Sequence, residues 1–129
     1  MPQLSDVMRR DPIEVAPEDT LGEVAERMSD ANMGAAIVKD FGRLIGILTE
    51  RDMLKAMAAR VHTSEARVRQ WMTEDPITVG ADTDVEDAAR IMLENGFRHL
   101  PVVDEIGQVV GIASLRRVAG ATRAAAKQA

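Results

Sequence analysis

The stretch VMRRDPIEVAPEDTLGEVAERM, residues Val7–Met28, decides the fold because the chain repeats it as WMTEDPITVGADTDVEDAARIM, residues Trp71–Met92. Both copies carry Asp-Pro followed by Ile and Val, and both end on Met at the same spacing. Farther on, GRLIGILTERDML from Gly42 aligns with GQVVGIASLRRVA from Gly107, after one additional residue in the second copy. An internal repeat of this kind indicates two copies of one supersecondary unit.

Each copy is predicted to run strand, helix, strand, strand, helix. A residue before proline disfavours helix, so DPIEV and DPITV are predicted to be extended. Apolar residues then recur at helical spacing, and Gly96 is a C-terminal stop signal for the second of these helices. The N-cap candidates of the two helices are Asp19 or Thr20 in the first copy and Asp82 or Thr83 in the second.

Hairpins and closing helices complete the two copies. The strands AAIVKD and RLIGILT flank a turn with Gly42, and HLPVVD and QVVGIAS flank a turn with Gly107. Further helices are predicted to begin near Asp52 and Leu115. The sequence therefore predicts an α/β (α+β) fold of two tandem β-α-β-β-α repeats, packed sheet to sheet with pseudo-twofold symmetry. The predicted segments are repeat 1 (1–60), a linker helix (61–70), repeat 2 (71–122) and a C-terminal tail (123–129).

Composition and charge exclude several function classes. The chain of 129 residues has a net charge of −5, which argues against a general nucleic-acid binder. It has no cysteine, and its two histidines, His62 and His99, lack metal-ligand spacing, so no metal site or catalytic residue is predicted. No apolar run is long enough to span a membrane, and no signal for secretion is found at the N-terminus. We therefore expect a cytoplasmic protein that is not an enzyme.

The motifs DPITV, GFRHLPVVDEIGQVVGI and GILTERD resemble those of the paired cystathionine-β-synthase (CBS) domain, or Bateman module. The resemblance extends from about Val7 to Val118, and the full pattern occurs twice in order. It implies binding of an adenosine-containing ligand in clefts between the repeats, and association as a disc-like homodimer. It also implies regulation of an enzyme or transporter, which we expect to act in trans because this module stands alone.

Thr49 and Asp52 in GILTERD permit two interpretations. Thr-x-x-Asp is a form of the helix capping box, in which the hydroxyl caps the helix and the acid reaches back. The resemblance implies instead that both side chains bind a ligand: a carboxylate accepts from ribose hydroxyls, and a hydroxyl at a helix start can meet a phosphate.

By resemblance, the first cleft joins residues from both repeats. Arg98 and His99 occupy positions that approach phosphates in similar modules, and Ile47, Ile77, Thr78 and Pro101 flank the adenine. The predicted binding residues of this cleft are Ile47, Thr49, Asp52, Ile77, Thr78, Arg98, His99 and Pro101.

The pseudo-symmetric second cleft has lost this chemistry. Arg117 stands where the first copy has Asp52, and an arginine has no acceptor for a ribose hydroxyl. Gly34 and Ala35 stand where the other repeat has Arg98 and His99, and Glu14 places a carboxylate where the other repeat has Thr78. The residues assigned to this weak or altered cleft are Ile13, Glu14, Ala35, Ser114 and Arg117. We expect one ligand per chain, with the second cleft empty or holding an anion through Arg117.

The predicted ligand is an adenine nucleotide, AMP, ADP or ATP, and no cofactor is required. One alternative is S-adenosylmethionine, against which the phosphate-facing Arg98 and His99 argue. Another is a constitutive dimeric interaction protein with vestigial clefts. The apolar residues that could form its helix contacts are Met53, Leu54, Met57, Val85, Ala89, Met92 and Leu93.

Overall fold

The computed structural model describes residues 2–128, and side chains as far as residue 124. It is a mixed α+β structure with one four-stranded and one three-stranded sheet, which confirms the predicted fold class. The chain divides into two units. The first unit is Pro12–Pro76; the second combines the N-terminal segment up to Asp11 with the chain from Ile77 onward.

The order of elements follows the predicted repeat. The first unit contains β1 (Glu14–Val15), α1 (Leu21–Ala31), β2 (Ala35–Asp40), β3 (Arg43–Thr49), α2 (Glu50–Ala58), α3 (Val68–Trp71) and β4 (Thr73–Glu74). The second unit contains a 3₁₀ turn (Leu4–Asp6), β5 (Val79–Gly80), α4 (Val85–Asn95), β6 (His99–Val103), β7 (Val109–Ser114) and α5 (Leu115–Gln128). The predicted tail, 123–129, continues α5 as far as Gln128, and Ala129 lies outside the described residues.

Each sheet has the same construction. A parallel strand, β1 or β5, pairs with the first strand of an antiparallel hairpin, β2–β3 or β6–β7. Side chains alternate between the two faces of a strand. One face of the first sheet therefore contributes Val15, Ala36, Val38 and Leu48 to a core with α1 and α2. The matching face of the second sheet contributes Val79, Leu100, Val102 and Ala113 to a core with α4 and α5.

The helix caps were predicted correctly in the first unit but not in the second. Thr20 is the N-cap of α1, and its hydroxyl accepts a hydrogen bond from Glu23 N. The N-cap of α4 is Asp84, rather than Asp82 or Thr83, and its side chain makes no capping bond. The N–H of Val85 instead donates to the carbonyl of Pro2 at 3.0 Å, so the N-terminal segment satisfies the first turn of α4.

The N-terminal segment belongs structurally to the second unit, although the sequence assigned residues 1–60 to the first repeat. Leu4 is fully buried in the core of the second unit, and its N–H donates to the carbonyl of Thr83. Arg9 pairs with Ile112 of β7 through two backbone hydrogen bonds of 2.9 Å. Such pairings join residues far apart in sequence, so local patterns carry no signal for them.

The segment predicted as a linker, 61–70, is held against the first repeat, and helix forms only from Val68. The N–H of Leu21 donates to the carbonyl of Ala66 at 2.9 Å, which repeats the Val85–Pro2 bond of the second unit. The guanidinium of Arg69 is fixed by Glu18 at 2.8 Å, and this hydrogen bond raises the pKa of Arg69 above its usual value. This segment is therefore a fixed part of the first unit.

Two glycines allow a neighbouring backbone to approach the hairpins. A Cβ at Gly46 would lie 2.8 Å from the carbonyl oxygen of Thr73, and a Cβ at Gly111 would lie 2.6 Å from that of Arg9. Real Cβ atoms do not approach backbone oxygens so closely. Both repeats therefore need a glycine where a segment from outside the hairpin crosses its second strand.

Candidate functional site

The sheet face that points away from the helices carries most of the predicted residues of the first unit. In the antiparallel register, Ala35 lies opposite Thr49 and Ile37 lies opposite Ile47, so these four side chains share one face. Glu14 joins the same face because it is the parallel partner of Ile37. Ile37 and Ile47 are buried yet belong to neither helix-packed core.

The second unit repeats this arrangement. His99 lies opposite Ser114 and Pro101 lies opposite Ile112 on the face that points away from the helices. Thr78 directly precedes β5, and Ile77 before it leaves 40% of its surface exposed. Predicted residues of both clefts thus occupy the same kind of face in each unit.

Thr49 and Asp52 form a complete capping box at the start of α2. The Thr49 hydroxyl accepts a hydrogen bond from Asp52 N at 3.3 Å and donates to Asp52 Oδ2 at 3.1 Å. The same carboxylate oxygen accepts from Thr49 N at 2.9 Å. The capping interpretation of GILTERD is therefore correct as a description of local structure.

The carboxylate of Asp52 keeps one oxygen available. The residue is only 7% exposed, and Oδ2 takes both bonds from Thr49. Oδ1 accepts no hydrogen bond from any group that the structure describes. Because no fully buried side-chain oxygen among residues 2–124 lacks a partner, Oδ1 is not fully buried. Oδ1 is consequently the acceptor through which this nearly buried side chain can still meet a donor from outside.

Backbone groups at the start of α2 are also partly engaged. The N–H of Glu50 donates to the carbonyl of Gly34 at 3.0 Å, and that of Asp52 caps on Thr49. Among the described residues, the N–H of Arg51 donates to no group outside α2. It is therefore a further donor in the same helical turn as Asp52.

The corresponding position of the second repeat has a different role. Ser114 still caps α5, accepting a hydrogen bond from Arg117 N at 3.3 Å. The Arg117 guanidinium turns to the N-terminal segment, where Nη1 donates to the carbonyl of Val7 at 3.3 Å. The sequence did not indicate this use of Arg117, since Val7 is remote and participates only through its backbone.

Two basic residues of the second unit, Arg98 and His99, differ in solvent exposure. Arg98 is exposed, and its guanidinium forms no ion pair or hydrogen bond with the described residues. Its carbonyl accepts from Leu115 N at 2.8 Å, which fixes the backbone next to the start of α5. His99 is half-buried on β6. A free guanidinium at a fixed backbone position is suited to an anionic group.

Two residues assigned to the second cleft make their contacts within the first unit. Ile13 packs in the helix-side core with Val15, rather than on the face that carries Ala35 and Thr49. Glu14 forms an ion pair with Lys39, which offsets its charge. Sequence reasoning missed Lys39, although its position on the strand beside β1 was the available signal.

The apolar residues suggested for contacts between helices separate into three groups by their burial. Leu54 and Met57 on α2 and Leu93 on α4 are exposed. Val85 and Met92 are buried in the second core, so the expectation that they contact another chain is wrong. Met53 and Ala89 pack partly against their own cores.

Among residues 2–128, no group of histidines and acids is arranged to hold a metal ion. Within the same range, no helix combines the length and the apolar character that crossing a bilayer requires.

Comparison with known proteins identifies the repeats. The family model of the CBS domain matches twice, at residues 4–59 and 68–123. An uncharacterized 17.7 kDa protein of Acidianus ambivalens is 44% identical over 108 residues, which cover 83% of this chain and 65% of that protein. The chain therefore spans just under two thirds of the length of this relative.

Two similar solved structures contain adenosine compounds. The CBS domain protein PAE2072 from Pyrobaculum aerophilum, complexed with AMP, matches with a TM-score of 0.82 and 28% identity, covering 90% of this chain and 89% of that one. The CBS domain pair of protein MJ0100 is in complex with 5′-methylthioadenosine and S-adenosyl-L-methionine. It matches with a TM-score of 0.85 and 26% identity, covering 96% of this chain and 98% of that one.

Proposed function

Because the chain belongs to the CBS domain family, we propose that it is a regulatory module that binds an adenine nucleotide, AMP, ADP or ATP, through Asp52. The observation that carries this proposal is the nearly buried Asp52 carboxylate with its Oδ1 open to an external donor. The AMP complex of a similar CBS protein supports the choice of ligand class.

The chemistry of the proposed site follows from its residues. A carboxylate oxygen accepts hydrogen bonds from ribose hydroxyls, as acids do in dinucleotide-binding folds. Arg98 offers a free guanidinium to a phosphate, where a charge-assisted and bidentate bond is stronger than a neutral one. Ile47, Ile77 and Pro101 supply the apolar surface that an adenine ring requires.

We expect one nucleotide per chain. The position of the second copy that corresponds to Asp52 is Arg117, which lacks an acceptor and is engaged with the Val7 carbonyl. Because one guanidinium nitrogen of Arg117 already donates to the Val7 carbonyl, Arg117 has less capacity to bind an anion. Asp52 and Arg117 therefore offer opposite charge and opposite hydrogen-bonding chemistry at equivalent positions of the two repeats.

S-adenosylmethionine is the second candidate ligand. It is favoured by the complex of the similar CBS pair of MJ0100, which contains this compound and 5′-methylthioadenosine. The free guanidinium of Arg98 argues for a phosphate instead, since a sulfonium compound has no anionic phosphate to pair with it.

The output of binding is proposed from the resemblance and from the exposed helices. We propose a homodimer that presents Leu54 and Met57 of α2 at an interface, because exposed large apolar residues on one helix are suited to association. Ligand binding would alter the packing of the repeats or of the dimer, and an enzyme or transporter in trans would respond to it. In this proposal the module has no catalytic activity of its own, and its cytoplasmic location stays a prediction.

Calorimetric titration with AMP, ADP, ATP and S-adenosylmethionine tests the ligand class. Saturable binding of a nucleotide, weakened by Arg98→Ala, supports the proposal. Binding of S-adenosylmethionine alone, unaffected by Arg98→Ala, favours the second candidate. Absence of heat with all four ligands, confirmed by unchanged thermal unfolding, would favour the constitutive interaction protein.

A further inference from the structure

The two hairpin turns place a large apolar side chain at equivalent positions of the repeats. Phe41 precedes the turn glycine Gly42, and Ile106 precedes the turn glycine Gly107. Phe41 is 97% exposed and Ile106 is 82% exposed, the two highest values among the large apolar side chains that the structure describes. One exposed apolar residue needs no explanation, but its recurrence at the same turn of both repeats points to a contact role.

The local folding of the first hairpin does not account for Phe41. Its φ of 51° lies in the left-handed region, where a bulky side chain is an outlier and asparagine or glycine is preferred. The chain has three aromatic residues, of which Trp71 and Phe97 pack against the two cores. An exposed aromatic side chain that disfavours its own turn is suited to anchor a contact with another molecule.

The two hairpin tips carry opposite charges. The first tip, residues 41–43, ends on Arg43, whose exposed guanidinium makes no ion pair or hydrogen bond with the described residues. The second tip, residues 105–107, begins with Glu105, whose exposed carboxylate is likewise unpaired within the part of the chain that the structure describes. The first tip therefore combines an apolar side chain with a cation, and the second combines one with an anion.

Both tips are held by bonds within their own unit. Asp40, which precedes the first tip, forms an ion pair with Arg69 at 3.7 Å. Asp104, which precedes the second tip, accepts hydrogen bonds at Oδ1 from Ile106 N at 3.1 Å and from Gln108 N at 2.9 Å. These two acids are thus engaged within the chain. A tip that is already fixed loses little conformational freedom when it makes a contact, which favours association.

We propose that the first tip of one copy of this chain binds the second tip of another copy, with Phe41 packed against Ile106. In the same contact Arg43 pairs with Glu105. A second copy is the occupant because the chain itself carries the matching apolar residue and the opposite charge. Each tip presents few residues, so the contact is weak, with a Kd between about 10 μM and 1 mM. It is separate from the proposed dimer contact of α2 and from nucleotide binding.

Sedimentation velocity at increasing protein concentration measures this association, and two substitutions test its apolar part. Phe41→Asn and Ile106→Asn are each predicted to raise the Kd of the tip contact at least about tenfold, as the loss of an anchor residue does. Asparagine suits the left-handed turn position of Phe41 better than phenylalanine does. A Phe41→Asn chain that is at least as stable as wild type when dissociated, yet associates less, therefore loses a contact rather than its fold.

Charge reversal tests the ion pair. Arg43→Glu and Glu105→Arg each place like charges opposite one another and are predicted to weaken the association at least about tenfold. The chain that carries both substitutions is predicted to associate as wild type does, and so is an equimolar mixture of the two single variants. Arg123→Glu is the matched control, because it changes the net charge as Arg43→Glu does at an exposed position of α5 and should have no effect.

Each outcome bears on the tip contact alone. A wild-type chain whose mass does not rise with concentration overturns the proposal. Association that persists in Phe41→Asn and in Arg43→Glu belongs to another surface and overturns it as well, as does a folded double charge variant that stays dissociated. Calorimetric titration of AMP into the same variants is predicted to show unchanged binding, so failure of the tip contact and failure of nucleotide binding are distinguishable.

Discussion

In the first turn of α2, the hydroxyl of Thr49 donates to Asp52 Oδ2 at 3.1 Å and accepts from the backbone N–H of Asp52 at 3.3 Å. Their counterparts, Ser114 and Arg117, keep only the bond from the backbone N–H. The two repeats therefore share a helix cap but differ in the acceptor presented beside it.

The reciprocal capping box predicts unequal stability effects at the two positions. Asp52→Ala removes an acceptor that satisfies Thr49 N and is expected to lower the free energy of unfolding by about 1 kcal/mol. Arg117→Ala removes one exposed bond to the Val7 carbonyl and is expected to cost about 0.5 kcal/mol. Urea unfolding followed by the fluorescence of Trp71 measures both. Equal effects would contradict the asymmetry.

Gly111 is predicted to be intolerant of a side chain. An added Cβ would lie 2.6 Å from the carbonyl oxygen of Arg9, so Gly111→Ala should destabilise the protein by about 1–3 kcal/mol through overpacking. Gly120 is the matched control, because a Cβ there meets nothing within 4 Å. In the interior of α5, Gly120→Ala should stabilise by about 0.5–1 kcal/mol. Thermal unfolding of the two variants should shift in opposite directions, and a neutral Gly111→Ala would refute the close approach.

Phe41 is predicted to reduce the stability of the hairpin that it closes. It lies in a two-residue turn with Gly42, has a φ of 51°, and is 97% exposed. Asparagine is preferred at this turn position because it tolerates a left-handed backbone. Phe41→Asn should therefore raise the free energy of unfolding by up to about 1 kcal/mol. Phe41→Val should lower it, and a Phe41→Asn variant less stable than wild type would show that Phe41 makes a contact elsewhere.

Met92 and Leu93 are neighbours in sequence with opposite environments. Met92 is 0% exposed in the core of the second unit, whereas Leu93 is 68% exposed. Met92→Ala should cost about 2–5 kcal/mol because it leaves a cavity. Leu93→Ala should change the stability of the monomer by no more than about 0.5 kcal/mol. Chemical denaturation at low protein concentration checks both, and similar losses would place Leu93 in a buried contact.

Local patterns and the internal duplication were sufficient to predict the hairpin strands and the helices before and after each hairpin. β2 and β3 begin and end where AAIVKD and RLIGILT do, and Gly96 ends α4 in a left-handed conformation. The docking of the N-terminal segment was not predictable, since the Val85–Pro2 bond joins backbone groups that carry no side-chain signal. For the same reason the sequence placed the cap of α4 at Asp82 or Thr83.

The chemistry of the candidate site was only partly visible in the sequence. The spacing of Thr49 and Asp52 indicated both a cap and a ligand pair, and hydrogen-bond geometry was needed to show which oxygen remains available. The difference between Asp52 and Arg117 was evident from the duplication, whereas the bond from Arg117 to the Val7 carbonyl depends on tertiary contact. Ile13 looked like a site residue because strand alternation cannot assign a face without the register.

Asp52 is the residue on which nucleotide binding depends most directly in the proposed function. The decisive measurement is calorimetric titration of AMP into the wild-type chain, Asp52→Ala and Arg117→Ala, with folding of each variant checked by circular dichroism. We predict one AMP per wild-type chain, no detectable binding to folded Asp52→Ala, and unchanged binding to Arg117→Ala. Undiminished binding to Asp52→Ala, or loss of binding only in Arg117→Ala, would contradict the account.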